Sequence, residues 1–284
     1  MSKVLQELND EELQYIINKL ERHLPRLIKD LYFILTAQRL RSSSADNFPI
    51  FYKYSEGLME NCTIFGITKE GDHKVWLFTL QDSLQELTEC LEKTKLINWD
   101  KVSFVTVHRA MTLPIFEHIK KNNLKLLDDE QGSYYWMMKE NALNLNIEIP
   151  NGTYVKRLSD ADSHFCNNIW NFRKENSEPF VRSLINVNGG YGLFDETSNE
   201  LLCFALINDH SAVGLLTTIE RFRGKKYGQL IAKYVSLKIS ETLNLHPTVY
   251  INDVNPISRR IFERIGFQKI GDMNWIEVRK NLNK

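Results

Sequence analysis

The segment of this sequence best suited to chemistry is a short basic turn between an apolar strand pattern and a long amphipathic pattern. Its residues are Arg223, Gly224, Lys225, Lys226, Tyr227 and Gly228. The first backbone N–H groups of a helix have no intrahelical partner, and the helix dipole attracts anions to them. Glycines let a ligand approach the backbone, and the cationic side chains supply countercharge. The turn predicts a phosphate site, although a solvated basic turn that only starts a helix fits the spacing equally well.

Two common nucleotide motifs are missing from the sequence. GxxxxGK[ST], in which a lysine and a hydroxyl serve a nucleotide and its magnesium ion, does not occur, and neither does GxGxxG of the dinucleotide-binding folds. Nucleotide hydrolysis and hydride transfer therefore have little support.

The overall charge argues against a nucleic-acid partner. The chain has 284 residues and a formal net charge of +0, whereas nucleic-acid binders usually carry a basic excess. Residues 151–284 hold 18 Lys and Arg against 14 Asp and Glu, a mild excess that suits a small anionic ligand. No apolar stretch reaches the roughly 20 residues of a membrane span, so we expect no membrane partner.

The four cysteines are widely spaced and form no CxxC pair or cysteine–histidine cluster, so we expect reduced thiols and no metal site. Cys203 lies in an apolar strand pattern and is expected to be buried. The amino terminus has no apolar signal core, and we expect a cytoplasmic protein, with mitochondrial import as the alternative.

The elements around the turn alternate between strands and helices. Asn9 precedes three acidic residues and an apolar helical pattern, which predicts a capped helix. Residues 26–38 are a short helix or a strand, and the sequence KEGD joins two strands in a hairpin. FQKIGDMNWIEV is expected to form two closing strands. A polar stretch with proline and glycine predicts a boundary between domains 1–145 and 150–284.

RFRGKKYGQLIA resembles the coenzyme A pyrophosphate loop of the GCN5-related N-acetyltransferases, [RQ]xxGx[GA]. Arg223 and Gly228 match the first and last positions, while Lys226 stands where the family has a glycine. NPISRRIFERIGF is similar to the segment that follows in that family, NxxSxxxYexxGF, with Asn255 and Ser258 in register.

The whole chain is most similar to the glycine N-acyltransferase-like group, with an FR47-like carboxyl-terminal domain. The resemblance implies an α/β (α+β) fold with two tandem acetyltransferase-like domains, each a mixed, mostly antiparallel twisted sheet flanked by helices. It implies that domain 1–145 is degenerate and that domain 150–284 binds acetyl-CoA or another acyl-CoA as co-substrate.

The same resemblance implies roles for individual residues. The strand holding Thr217 and Ile219 should splay from the strand holding Val249 and Ile251, so that the pantetheine arm enters the gap. The cofactor-binding residues would be Thr217, Ile219, Arg223, Gly224, Lys225, Lys226, Tyr227, Gly228, Asn255 and Ser258. The thioester carbonyl would lie against N–H groups near Leu216 and Thr217.

The catalytic acid and base are less well specified. Ala212 stands where glycine acyltransferases have a glutamate, and Phe262 stands where many family members have a tyrosine. His210 and Glu220 are the candidate catalytic residues, although each is also typical of a solvated strand edge.

The resulting function is transfer of an acyl group from acyl-coenzyme A to the amine of a small molecule, such as glycine or another amino acid, by a monomer or homodimer. A non-catalytic coenzyme A-binding module is the alternative, since Ala212 and Phe262 cannot carry a proton. Acetylation of a peptide or protein is a third, weaker interpretation.

Overall fold

A computed structural model describes residues 4–42, 48–68, 73–175 and 177–281. The strands are β1 (Leu5–Glu7), β2 (Ile50–Tyr54), β3 (Ile64–Ile67), β4 (Lys74–Phe78), β5 (Val102–His108), β6 (Lys125–Trp136), β7 (Thr153–Arg157), β8 (Gly190–Asp195), β9 (Leu201–Ile207), β10 (Val213–Thr218), β11 (Thr248–Asn252) and β12 (Gln268–Arg279). The helices are α1 (Asp10–Glu21), α2 (Ile28–Ser42), α3 (Gln85–Lys93), α4 (Leu113–Lys121), α5 (Lys139–Leu143), α6 (Ser163–Ile169), α7 (Glu178–Ser183), α8 (Tyr227–Leu243) and α9 (Pro256–Arg264).

The chain forms two compact units. The first comprises Met1–Ile34, Ala45–Ser133 and Gly271–Lys284, and the second comprises Leu35–Ser44 and Tyr134–Ile270. These bounds differ from the predicted domains 1–145 and 150–284, because three elements belong partly to one unit and partly to the other. They are α2, β6 and β12. The predicted domain boundary itself stays a prediction.

Mixed, mostly antiparallel sheets form the centre of both units, as the sequence predicts. In the first unit the strand order is β1-β2-β3-β4-β5-β12-β6, and β4 and β5 are parallel. In the second unit the order is β6-β11-β10-β9-β8-β7, and β10 and β11 are parallel. The predicted fold class is confirmed.

Helix α8 is fixed by an apolar stripe at helical spacing. Ile231, Val235 and Ile239 are buried in one cluster with four residues of β9, among them Cys203. The intervening residues of β9 pack in a second cluster with α6 and α7. Burial on both faces explains why β9 is apolar throughout, and it confirms Cys203 as a buried thiol.

Several local predictions can be compared directly with the structure. Asn9 caps α1 with a capping box, as predicted: its Oδ1 accepts from the Glu12 N–H at 2.9 Å. The stretch at 26–38, left open between helix and strand, lies largely in α2. β3 and β4 pair as the two arms of the predicted hairpin, while its KEGD turn, residues 69–72, lies outside the described residues.

The predicted pair of closing strands is wrong. FQKIGDMNWIEV lies in the single strand β12, whose residues 273–278 pair with β5. Gly271 and Asp272 suggest a turn, but the Asp272 carboxylate accepts a hydrogen bond from Ser133 Oγ at 2.9 Å. This bond joins β6 to β12, and the chain continues through Gly271 and Asp272 without turning.

The first unit contains a buried ionic cluster that composition alone does not reveal. The Asp30 carboxylate lies 2.7 Å from Lys29 Nζ and 2.6 Å from His108 Nε2, and neither Lys29 nor Asp30 is exposed. Burial opposes ionisation of Asp30, but the adjoining His108 and Lys29 hold the pKa of Asp30 below its ordinary value. Burial lowers the pKa of His108. The neutral imidazole therefore donates Nε2–H to the carboxylate.

We expect Asp30→Asn to destabilise the protein by about 3–5 kcal/mol, because it leaves the buried Lys29 ammonium without a countercharge. The folded pKa of Asp30 lies below its unfolded value, so the stabilisation should be present above pH ~4 and be lost as pH falls below that. Urea unfolding of the unaltered protein and of Asp30→Asn, each at pH 7 and pH 3.5, measures the cost of the substitution and its dependence on pH.

Asp100→Asn is the matched control, because Asp100 is 75% exposed in its pair with Lys280. This variant should cost at most about 0.5 kcal/mol. Equal unfolding free energies for the two variants would contradict the role given to Asp30.

Candidate functional site

The amino terminus of α8 is open. Its N-cap residue is Lys226, and no side chain of the described residues hydrogen-bonds to this cap. In a helix of 17 residues, the N–H groups of Tyr227, Gly228 and Gln229 precede the first intrahelical bond, which Leu230 N makes to Lys226 O at 3.1 Å. An anion is the natural partner for such a group of donors.

The loop backbone is shaped by three positions. Gly224 has φ +81°, and a Cβ added there would meet no atom within 4 Å. The backbone angle therefore favours glycine at this position, whereas the space around it would admit a side chain. A Cβ at Gly228 would lie 3.3 Å from Thr218 Oγ1, which makes glycine the close-packing choice. Lys226 adopts φ +63°, the left-handed conformation that glycine favours.

Positive side chains surround this loop. Arg221 and Lys225 lie over the ring of Phe222, at 4.9 Å and 5.6 Å from its centroid. Arg223 Nε donates to the Thr218 carbonyl at 3.4 Å, which ties the loop back to β10. Arg221 is also paired with Glu200, so part of its charge is neutralised. Lys225, Lys226 and Arg223 remain as countercharge for an anion at α8.

Strands β10 and β11 diverge next to this loop. They share one residue pair in register, Val213 with Val249, and β10 then carries a bulge between Gly214 and Thr217. Leu215, inside the bulge, has φ +52°. Along β10 only Val213 is buried, whereas every residue of β9 is buried. The edge of β10 that faces the gap is therefore accessible.

The predicted cofactor residues fall into two groups. Thr217 and Ile219 lie at the end of β10, where Thr217 Oγ1 donates to the Leu215 carbonyl at 3.1 Å and Ile219 N to the Leu202 carbonyl at 3.0 Å. Residues 223–228 follow directly, so the structure brings the strand end and the loop together. Asn255 and Ser258 lie at the start of α9, where Asn255 Oδ1 caps the helix by accepting from Ser258 N at 3.0 Å.

The two predicted catalytic residues are not brought together. His210 is 3% exposed, in the turn that precedes β10, and its Nδ1 lies 3.1 Å from the Asp209 carboxylate. Glu220 is exposed in a short 3-10 turn after β10. The length of β10 separates them, so they cannot act on one proton. Their catalytic roles remain predictions.

The positions where the family resemblance expects an acid and a phenol are occupied by core residues. Ala212 is fully buried, and Phe262 packs edge-on against Phe267 with ring centroids 5.2 Å apart. Neither side chain can exchange a proton. Sequence reasoning also missed Leu215, because no local signal marks a leucine that will adopt positive φ.

The first unit offers an internal comparison. Helix α3 follows β4 as α8 follows β10, but Gln81 Oε1 accepts from Glu86 N at 2.9 Å, and Glu86 stands in the first turn of the helix. The Gln81 side chain thus occupies the Glu86 amide, and the Glu86 carboxylate repels anions. No basic residue lies between Thr79 and Gln85. This helix start is unsuited to a diphosphate.

Two protein families match parts of the chain. Residues 190–276 match the family described as FR47-like protein. Residues 4–118 match a family described as a domain of unknown function, DUF5645. No curated protein sequence matches the chain.

Solved structures resemble the chain over nearly its full length. A Drosophila protein has a TM-score of 0.91 at 21% identity, covering 98% of this chain and 99% of that one. A tandem GNAT protein from the clavulanic acid biosynthesis pathway has a TM-score of 0.56 at 10% identity, covering 96% and 97%. A GCN5-related N-acetyltransferase from Kribbella flavida has a TM-score of 0.56 at 11% identity, covering 88% of this chain and 95% of that one.

These likenesses establish a fold shared with GCN5-related N-acetyltransferases and agree with the resemblance to that superfamily. They do not reach the glycine N-acyltransferase-like group, which stays a prediction. Within the described ranges, no helix is long and apolar enough to cross a bilayer.

Lys226 generates a prediction about the loop. A left-handed lysine carries strain of about 1–2 kcal/mol that glycine does not, against about 0.5–1 kcal/mol of extra chain entropy for glycine. Lys226→Gly should therefore raise the unfolding free energy by about 0.5 kcal/mol, measured by denaturant unfolding without ligand.

Lys225→Gly removes the same charge at the adjoining residue, which is not among the positions with positive φ. It should lower stability by about 0.5–1 kcal/mol, since only the entropy cost remains. Opposite signs for the two variants are expected, and matching losses would contradict the strain at Lys226.

Proposed function

We propose that this chain, whose fold is that of the tandem GCN5-related N-acetyltransferases and whose residues 190–276 match the FR47-like family, transfers an acyl group from acyl-coenzyme A to the amine of a small molecule. Proteins of this fold use acetyl-CoA or another acyl-CoA as co-substrate. The observation that carries the proposal is the open start of α8 beside the gap between β10 and β11.

The diphosphate of coenzyme A suits the start of α8. Its oxygens would accept from the N–H groups of Tyr227, Gly228 and Gln229, and Arg223 and Lys226 would offset its charge. The absence of a side chain at Gly228 leaves the backbone accessible there. These residues form one continuous stretch, so helix dipole, countercharge and open backbone act on the same ligand.

The gap between β10 and β11 suits the pantetheine arm. Its amides can pair with backbone groups of β10 that β11 does not reach, as an added strand would. The bulge at Leu215 rotates the following peptide groups out of the regular ladder. An N–H near Leu216 or Thr217 would then stabilise the oxyanion that forms on the thioester carbonyl.

The reaction itself needs one proton removed from the acceptor. A neutral amine attacks the thioester carbon, the new C–N bond forms, the C–S bond breaks, and the thiolate takes up a proton. Since neither Ala212 nor Phe262 can exchange a proton, we propose that solvent takes the amine proton and that positioning supplies most of the rate. Glycine or another amino acid is the acceptor that the sequence resemblance favours.

A non-catalytic coenzyme A-binding module is the second candidate. It rests on the same two buried core residues, Ala212 and Phe262. A binding module would bind coenzyme A as the enzyme would, but it would release no thiol with any amine. The two candidates therefore differ in turnover and not in affinity for the ligand.

Coenzyme A should raise the melting temperature, because a ligand that binds only the folded state stabilises it. Arg223→Ala combined with Lys226→Ala should weaken binding by about 100-fold or more, since hydrogen bonds to charged groups contribute roughly 1.5–3 kcal/mol each. Calorimetric titration with coenzyme A measures the change.

Lys120→Ala combined with Lys125→Ala is the matched control, which removes two exposed positive charges from the first unit. Its affinity should equal that of the unaltered protein. If saturating coenzyme A does not raise the melting temperature, the site is refuted. If the two double variants weaken binding equally, the binding reflects the overall charge of the protein and not a site at α8.

A thiol-release screen with acetyl-CoA and a panel of amines and amino acids separates enzyme from binding module. With solvent as the base, kcat/KM should rise about tenfold per pH unit up to the pKa of the acceptor amine, because only the neutral amine attacks. His210→Gln and Glu220→Gln should leave this slope unchanged.

An inflection in the pH profile that disappears in His210→Gln would instead identify His210 as the base. An inflection that disappears in Glu220→Gln would identify Glu220. Absence of thiol release across the whole panel, with coenzyme A still bound, would favour the binding module.

A further inference from the structure

A polar cluster of the second unit lies at the turn that leads into β10. It consists of Thr36, Arg39, Asn188, Asn208 and Ser211, and we call it the β10 entry cluster. Arg39 Nη2 donates to Ser211 Oγ at 2.6 Å and to Thr36 Oγ1 at 3.3 Å. Asn188 Nδ2 and Ser211 N donate to the same acceptor, the Asn208 carbonyl, at 2.9 Å and 3.0 Å.

The charge of Arg39 is not neutralised by the described part of the chain. Its partners there are two hydroxyl groups, and no described carboxylate lies within 4.0 Å of its guanidinium. Burial is also sufficient to lower the pKa of Arg39. A guanidinium has five donors, so several remain for another group. The side chain is partly exposed, which leaves access for a solute.

A second group in the cluster lacks a partner. Asn188 is 7% exposed, and its Oδ1 is buried without a hydrogen-bond partner among the described residues. Asn188 ends a π-helical turn, Leu184–Asn188, a conformation found frequently at functional sites. An unsatisfied buried acceptor is costly unless a donor binds it. Among the described residues, the cluster thus contains one cation without a countercharge and one acceptor without a donor.

The cluster lies at the closed end of the gap. Ser211 precedes Val213 by two residues, and Val213 with Val249 is the pair from which β10 and β11 diverge. The N–H groups near Leu216 lie roughly 16 Å further along β10 from Ser211, at about 3.3 Å per residue. The diphosphate loop comes after them, so the proposed thioester position falls between the loop and the cluster.

We infer that Arg39, held by Ser211 and Thr36, binds an anionic group of the acceptor and selects acceptors that carry a carboxylate some distance from the amine. This inference rests on the acyltransferase function proposed above. One planar guanidinium matches one carboxylate, whereas a phosphate monoester with nearly two charges would demand further cations.

The test compares acceptors in matched pairs: ω-amino acids of six to twelve carbons, the longest of which span the distance from Arg39 to the proposed thioester position, against primary alkylamines of the same chain length. The unaltered protein should show at least a tenfold higher kcat/KM for the carboxylated member of the best pair. Arg39→Gln should abolish that preference and leave kcat/KM for the alkylamine within twofold. Arg39→Lys, which restores the charge, should recover part of the preference.

Arg41→Gln is the control, because it removes an exposed arginine from the same helix. It should keep the preference. Coenzyme A affinity, measured by calorimetry on each variant, tests the proposed function independently of Arg39. If the unaltered protein does not bind coenzyme A, the proposed function is refuted. If it binds coenzyme A but shows no preference for carboxylated acceptors, the role of Arg39 is refuted.

Calorimetry with 8-aminooctanoate and 12-aminododecanoate, in the presence of desulfo-coenzyme A, provides a readout without turnover. Binding by the unaltered protein that is at least tenfold weaker in Arg39→Gln supports the inference. Absence of binding, or equal affinity in both proteins, overturns it. A thermal melt of each variant shows whether the fold is retained, and Arg39→Lys replaces Arg39→Gln in the comparison if the latter unfolds.

Discussion

The divergence of two parallel strands is the feature on which the proposed site depends. β10 and β11 are joined in register at Val213 and Val249 alone, and beyond that pair β10 carries a bulge at Leu215. A left-handed leucine costs about 1–2 kcal/mol, which the packing of β9 and α8 must offset. If β10 continued regularly beside β11, its backbone groups would be consumed by the sheet and none would remain for a ligand.

The same strand also fixes the position of the loop. Thr218 Oγ1 donates to the buried Cys203 Sγ at 3.2 Å, and Gly228 approaches Thr218 so closely that a Cβ would lie 3.3 Å from Oγ1. Cys203 belongs to the core that also holds α8. The end of β10 and the start of α8 are therefore held against one rigid support, which suits a site that must align a strand edge with helix amides.

Local patterns predict the parts of this arrangement that depend on neighbouring residues. The apolar spacing of α8, the capping box at Asn9 and the buried run containing Cys203 all follow from periodicity and side-chain chemistry. Sequence could not predict the left-handed Leu215 or the contact of Arg39 with Ser211, 172 residues apart. Such features arise from tertiary packing, and the uninterrupted β12 likewise depends on a bond between distant residues.

The first unit shows how few residues separate an open site from a closed one. Its parallel strands β4 and β5 share two register pairs, yet β4 is buried at four of five positions, and Phe78 and His108 pack with ring centroids 5.8 Å apart at the strand ends. Gln81 occupies a helix amide that the second unit leaves open. A common strand arrangement thus leaves a strand edge open in the second unit and a filled core in the first. Because the strand order is retained while the side chains differ, the fold alone cannot assign activity, and the ligand hypothesis has to rest on residues 213–228.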